Sequence, residues 1–321
     1  MNDYKIISDF GCDLPEHLLS QYDIKVIPTN LHIEEEDTVL SNEIEISDFY
    51  KKLREKKMIK TSAINMQTFK NVFEEYLANG LDLLYIGMSA GLSATFGSAM
   101  LAANELSELY PERTIRFVDS RSGSGGVGLA AYLASLKKEE GADLEENYHY
   151  MTDVCSRLNS WFTVDDLFFL KRGGRLGTAT AIVGSIFMIK PILTVNEEGK
   201  LFAWGKGRGK KGAMAEIVRR AEELAFEPEN NTIVISHADS MQEAVELEMM
   251  LRTKWDVKNI IITDIGPAFG AHCGPGGLAL FFIGKEEEEE EVSEEIAEEI
   301  SEETEASEAS EPLEETQPIN D

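Results

Sequence analysis

Gly87-Met88-Ser89-Ala90-Gly91 spells G-x-S-x-G, the pattern that lifts a nucleophilic serine onto a strand-to-helix turn in α/β-hydrolases. Asp264 and His272 follow it in the chain order that such hydrolases use. The same stretch, Ser89 to Thr95, also reads as a cradle of hydroxyls and turn amides for an anion, because a helix N-terminus offers unpaired N–H groups and a favourable dipole. Three further polar turns accompany it: Ser8-Asp9, Asp119-Ser120 and Thr61-Ser62. Each of Thr61, Ser62, Ser93 and Thr95 could equally be a helix cap, which calls for the same residue types. Ser8-Asp9, Ser89 to Thr95 and Asp119-Ser120 follow the first, third and fourth strands and Thr61-Ser62 precedes a helix; several hydroxyl-bearing turns on one sheet edge favour a ligand site, since open α/β sheets bind ligands beyond the carboxyl ends of their strands.

Two other segments carry chemistry. Residues 264–282, DIGPAFGAHCGPGGLALFF, put more Gly and Pro punctuation between two strands than a hairpin needs, in a loop that presents His272. Cys273 beside it has no evident base and reads as a small packing residue. The loops LKRGGRLG (170–177) and WGKGRGKKG (204–212) gather Lys171, Arg172, Arg175, Lys206, Arg208, Lys210 and Lys211, which suit a phosphate or an acidic protein surface.

No G-x-x-x-x-G-K-[ST] loop occurs, and GSGGVG (123–128) lacks a strong dinucleotide context, so no nucleotide site is expected. The net charge of -29 is uneven: residues 286–321 hold 18 of the 59 acidic residues and no Lys or Arg, leaving 41 acids against 30 bases before them, a net charge of -11. Neither part offers the basic face that nucleic acid requires. The acidic end has the composition of a disordered, solubilising tail. Three scattered cysteines, Cys12, Cys155 and Cys273, form neither a disulfide framework nor a zinc signature. No apolar run is long enough to span a membrane, and the first residues lack the features of a secretory signal, so a cytoplasmic protein is expected.

The elements that must position these residues alternate β and α over the first 150 residues: strands at YKIISDF, IKVIPTNLHI, LDLLYIGM and TIRFVDS, helices at DLPEHLLSQY (capped by Asp13), SDFYKKLREKK (capped by Ser47 or Asp48), TSAINMQTFKNVFEEYLANG (from a Thr/Ser turn to Gly80), SATFGSAMLAANELSELYP and GSGGVGLAAYLASLKKEEG. This predicts a mostly parallel α/β sheet domain over 1–155. Residues 156–285 read as a mixed α+β domain: a hairpin turning at Asn196–Gly199, helices at KGAMAEIVRRAEELAF and SMQEAVELEMMLRTKW, and strands at NTIVISHAD, VKNIIITDIG and LALFFIG. Residues 286–321 form the tail.

In order, SDFGCDLP, TSAINMQTF, SAGLSATFGSA, VDSRSGSGG, KRGGRLG, KPILTVNEEGKL, SHADS and IGPAFGAHCGPGGLALFF resemble the DegV family over most of residues 4–284. The resemblance implies an N-terminal α/β domain and a C-terminal α+β domain with a long-chain fatty acid between them. It implies a non-catalytic, acyl-binding subunit of a bacterial fatty-acid kinase. Such a subunit presents the carboxylate to a separate ATP-using subunit that makes acyl phosphate for phospholipid synthesis. By position, Thr61, Ser93 and His272 would hold the carboxylate, with Ser62, Gly91 and Thr95 shaping the turn. Arg172, Arg175, Lys206 and Arg208 would meet the kinase subunit. No metal or cofactor is implied. The family's turn usually reads S-G-L-S-G-T, which leaves Gly87 outside it. Ile64, Ala94 and Cys273 depart from the family's Pro, Gly and Thr or Ser, and bear on ligand selectivity. The alternatives are a serine esterase acting through Ser89, or a binding module for another apolar acid.

Overall fold

The computed structural model describes residues 3–33, 38–40, 44–175 and 189–286. The acidic tail expected at 286–321 lies outside them except for Glu286.

Four strands form the expected parallel sheet in the order β2-β1-β6-β7: β1 (Tyr4–Asp9), β2 (Lys25–Ile27), β6 (Asp82–Gly87) and β7 (Ile115–Asp119). Both faces of its central strands are covered, as parallel sheets require. Along β1 and β6, Ile6, Leu84 and Ile86 join one apolar cluster while Ile7, Leu83 and Tyr85 join another. This is the two-residue period of a strand buried on both sides. The Ile7 face packs on α3 (Met66–Ala78) and α4 (Thr95–Leu109), through Phe69, Phe73, Ala99 and Leu106. The Ile6 face packs on α5 (Gly125–Glu139) and α6 (Leu144–Ser156).

The second sheet has six strands in the order β10-β9-β8-β13-β11-β12. They are β8 (Leu158–Thr163), β9 (Ile189–Val195), β10 (Leu201–Arg208), β11 (Thr232–His237), β12 (Asn259–Asp264) and β13 (Leu278–Ile283). Pairing is antiparallel except between β11 and β12, which are parallel. β13 alternates in the same way. Ala279, Phe281 and Ile283 face α5, while Leu278, Leu280 and Phe282 face α8 (Gly209–Leu224) and α9 (Met241–Arg252). Helix α5 therefore lies between the two sheets. Its run from Gly125 to Ser135 is buried all round, which is the pattern of a helix with no solvent face.

Several sequence expectations differ. IKVIPTNLHI is two strands rather than one: it breaks around Pro28, and β3 (Leu31–Ile33) joins a small antiparallel sheet with β4 (Thr38–Leu40) and β5 (Ile59–Thr61). Proline has no N–H for a ladder. Asp13 does not cap α1 (Glu16–Gln21), whose N-cap is Pro15, and α2 (Ile46–Arg54) is preceded by Glu45 with no side-chain cap, instead of Ser47 or Asp48. The His272 segment is not all loop. Pro267–Cys273 is the helix α10, with Pro at its start and Gly274 at positive φ after it. Helix α6 was not anticipated, although Asp143 and Glu146 close a capping box at its start.

Candidate functional site

A cavity lies where the β5, β6 and β7 loops of the first half meet β8, β13 and α10 of the second. It has about 870 Å³ of non-atom space, part of it open to solvent. Phe10, Met88, Leu92, Phe162, Phe269 and Phe281 are among its apolar lining, and Thr61, Ser62, Ser93, His272 and Arg175 are among its polar lining.

Thr61 is the last residue of β5, and its Oγ1 lies 2.9 Å from Nε2 of His272, near the end of α10. Ser93 sits on the turn before α4. Its Oγ accepts from the Thr95 N–H at 3.2 Å and shares a hydrogen bond of 2.9 Å with Thr95 Oγ1. Thr95 is fully buried and its Oγ1 also accepts from the Ile64 N–H at 3.3 Å. One hydroxyl thereby ties the Thr61–Ile64 loop to the Ser93 turn. Burial, reinforced by Arg175 and Arg172, depresses the His272 pKa to about 4, so the ring is neutral near pH 7. Its Nδ1 is buried without a partner among the described residues. It faces Gly173, where a Cβ would come within 2.2 Å of it.

Gly91 is exposed and outside the cavity lining. A Cβ there would sit 2.4 Å from the Glu198 carbonyl of the β9–β10 hairpin. Ser62 is exposed, and its carbonyl accepts from Thr29 Oγ1 at 2.5 Å. Of the four basic residues expected to meet a partner, Arg175 lines the cavity, with its Nε donating to the Leu92 carbonyl at 3.4 Å. Arg172 donates to the Ala271 carbonyl at 3.4 Å and stacks on Phe168 and Phe169. Lys206 and Arg208 are exposed on β10, the edge strand of the six-stranded sheet.

The esterase alternative fails on geometry. Ser89 is fully buried, its Oγ donates to the Gly199 carbonyl at 2.8 Å and accepts from the Gly91 N–H at 3.1 Å. Among the described residues it has no histidine partner, and a nucleophilic serine needs a base within hydrogen-bond reach. Asp264 pairs with His237 rather than His272, at 3.5 Å. Asp9 is likewise structural: it accepts from Tyr85 OH at 2.6 Å and from the N–H groups of Gly11 and Met88 at 2.8 and 3.0 Å.

Sequence reasoning missed Asp13. Its buried carboxylate accepts from Ser124 Oγ at 2.6 Å and from the Gly266 N–H at the start of α10. Burial raises its pKa to about 7. It joins three loops separated by more than a hundred residues, and no local pattern signals that. Among the described residues no group of three His, Cys, Asp or Glu could hold a metal ion, and no helix is long and apolar enough to cross a membrane.

The model of the DegV family of uncharacterised proteins matches residues 3–285. A DegV domain-containing protein of Clostridium perfringens is 37% identical over 290 residues, covering 90% of this chain and all of the relative. Among solved structures, a lipid-binding DegV protein of Thermotoga maritima is 29% identical with a TM-score of 0.79, covering 88% of this chain and 98% of that one. A fatty-acid-binding DegV protein of Thermus thermophilus is 28% identical with a TM-score of 0.80, covering 88% of this chain and all of that one.

Proposed function

Because this chain belongs to the DegV family, we propose that it binds a long-chain fatty acid, with the carboxylate at Thr61, Ser93 and His272 and the chain in the apolar cavity. The observation that carries this reading is the Thr61–His272 hydrogen bond at the polar part of a cavity otherwise lined largely by Phe, Leu, Ile, Met and Ala. Burying a sixteen-carbon chain is worth on the order of 10 kcal/mol gross, at ~0.8 kcal/mol per CH₂. Loss of ligand freedom takes back much of it. The head group cannot be left unpaired, because a desolvated carboxylate needs hydrogen bonds. Hydroxyl donors from Thr61 and Ser93, with a neutral imidazole behind Thr61, meet that need without a buried cation that would hold the acid too tightly for transfer. Arg175 stands at the lining as an exposed charge.

In the same reading the protein is a cytoplasmic, non-catalytic subunit. It presents the acid to a separate ATP-using kinase subunit, and the acyl phosphate made there feeds phospholipid synthesis. Lys206 and Arg208, exposed on an edge strand, together with Arg172 and Arg175, serve as the contact for that subunit. The domain boundary at residues 155–156 belongs to this reading too, since the chain there leaves α6 for the second sheet.

Mass spectrometry of the purified protein, native and after solvent extraction, tests the binding. One fatty acid per chain is expected, reduced in Ser93→Ala and His272→Ala. An empty wild-type protein that also refuses added fatty acids overturns the reading. Incubation with a fatty-acid kinase subunit and ATP tests presentation; loaded protein from which no acyl phosphate forms refutes it.

A further inference from the structure

The cavity has further polar lining besides the Thr61–His272 pair. Ser160 on β8 lines it, and Ser160 Oγ lies 2.8 Å from Ser122 Oγ. Both serines are buried. Two hydroxyls bonded to each other use one proton between them, and the other needs an acceptor of its own. Neither serine side chain donates to another group among the described residues, so one O–H is unspent. Ser124 also lines the cavity, and its proton is committed to Asp13 at 2.6 Å, which leaves its oxygen able to accept. A fourth hydroxyl, Ser236 Oγ, is fully buried without a partner among the described residues, against the backbone of Gly125. Phe281, opposite Ser160 in the β13–β8 register, closes over the same place.

A wall serving only methylenes gains nothing from hydroxyls there, and an unmade buried hydrogen bond is costly. Here a spare donor and a spare acceptor face one apolar cavity, which is the pair that an alcohol satisfies. Resting on the fatty-acid reading above, we propose that the preferred ligand is a hydroxylated long-chain fatty acid, its chain hydroxyl accepting from the Ser122–Ser160 pair and donating to Ser124.

Displacement of a fluorescent fatty acid from the full-length protein tests this, using stearic acid and a panel of hydroxystearic acids with the hydroxyl at successive chain positions. At least one isomer is expected to displace the probe at a concentration ten-fold or more below that of stearic acid. In Ser160→Ala the ratio falls towards one. The proposal is overturned if stearic acid matches or beats every isomer on the wild-type protein, as it would if a water fills the niche. A ratio that survives in Ser160→Ala overturns it as well. The wild-type panel decides even if the variant does not fold. If neither stearic acid nor any isomer binds, it is the fatty-acid reading that fails.

Discussion

Gly173→Ala isolates the contact that holds His272 in place. Gly173 has φ -70° and ψ -9°, ordinary helical values, so alanine fits its backbone without strain. In the absence of a neighbour the substitution would stabilise the protein by about 0.4–1 kcal/mol, through a less flexible unfolded chain. The neighbour reverses the sign. A Cβ at Gly173 meets His272 Nδ1 at 2.2 Å, about 1.2 Å inside an ordinary 3.4 Å contact. The ring is bonded on its other side to Thr61 at 2.9 Å, so it cannot retreat without disturbing that bond. Overpacking of this kind costs about 1–3 kcal/mol. In His272→Ala the obstacle is gone and Gly173→Ala returns to its intrinsic benefit. A double-mutant cycle by urea unfolding is therefore expected to show a coupling of about 1–3 kcal/mol between the two positions. Gly173→Ala alone should lose fatty-acid retention much as His272→Ala does. A coupling below about 0.5 kcal/mol, or unchanged retention in Gly173→Ala, refutes the idea that this loop holds the ring.

Ser89→Ala strands the Gly199 carbonyl and the Gly91 N–H, and should cost about 1–3 kcal/mol in urea unfolding. Wild type and variant should be equally unreactive to a fluorophosphonate probe, and labelling lost in the variant would revive the esterase. His272, with its pKa depressed from 6.5 to about 4, leaves the unfolded chain binding the extra proton between those values. Its contribution is therefore intact above pH 6.5 and lost as pH falls towards 4, by about 3 kcal/mol. Asp13, raised from 3.8 to about 7, works oppositely: its contribution is full below 3.8 and fades as pH rises through 7. The His272 contribution is hence read as the difference between wild type and His272→Gln, and a difference flat from pH 7 to 4 disproves it. Thr95→Val keeps the shape but removes the hydroxyl behind Ser93; titration with a fluorescent fatty acid should show affinity about ten-fold weaker, and equal affinity would deny Thr95 a positioning role.

The fold was largely legible because β1, β6, β11 and β13 are short apolar runs set between Gly, Pro and Asp punctuation, the form of strands buried on both faces. What escaped was decided by tertiary context. IKVIPTNLHI has one composition throughout, yet its two ends serve different sheets, since Leu31 and Ile33 pack with Phe49 and Leu53 rather than with β1. Residues 264–277 have too many glycines to read as helix, but Gly270 lies so close to Phe49 and Tyr50 that a Cβ would collide with them. Those glycines serve packing, not flexibility. Within the site, Thr61, Ser93 and His272 were visible as residue types on polar turns. Arg175 as a cavity residue and Asp13 as the bond to α10 were not, because each depends on contacts across the chain. The apolar lining could not be read at all, since Phe162, Phe269 and Phe281 look like any core.

The arrangement of protons gives the cradle its direction. His272 Nδ1 faces Gly173 and has no acceptor among the described residues, so a proton placed there would be buried without a partner. The proton of the neutral ring therefore belongs on Nε2. Nε2–H then donates to Thr61 Oγ1, and the Thr61 hydroxyl proton is free for the ligand. Thr95 plays the same part for Ser93. Thr95 Oγ1 accepts from Ile64 N–H and can donate to Ser93 Oγ, which also accepts from the Thr95 N–H. Each cradle hydroxyl thus has donors behind it, and its own proton is left to point at an acceptor in the cavity. Hydrogen bonds chained in this way polarise one another. Two outward O–H groups suit an ionised carboxylate, which only accepts, and leave an amine or ammonium without an acceptor. In the proposed function, such a cradle would select for an acid by the order of its hydrogen bonds, with no buried cation required.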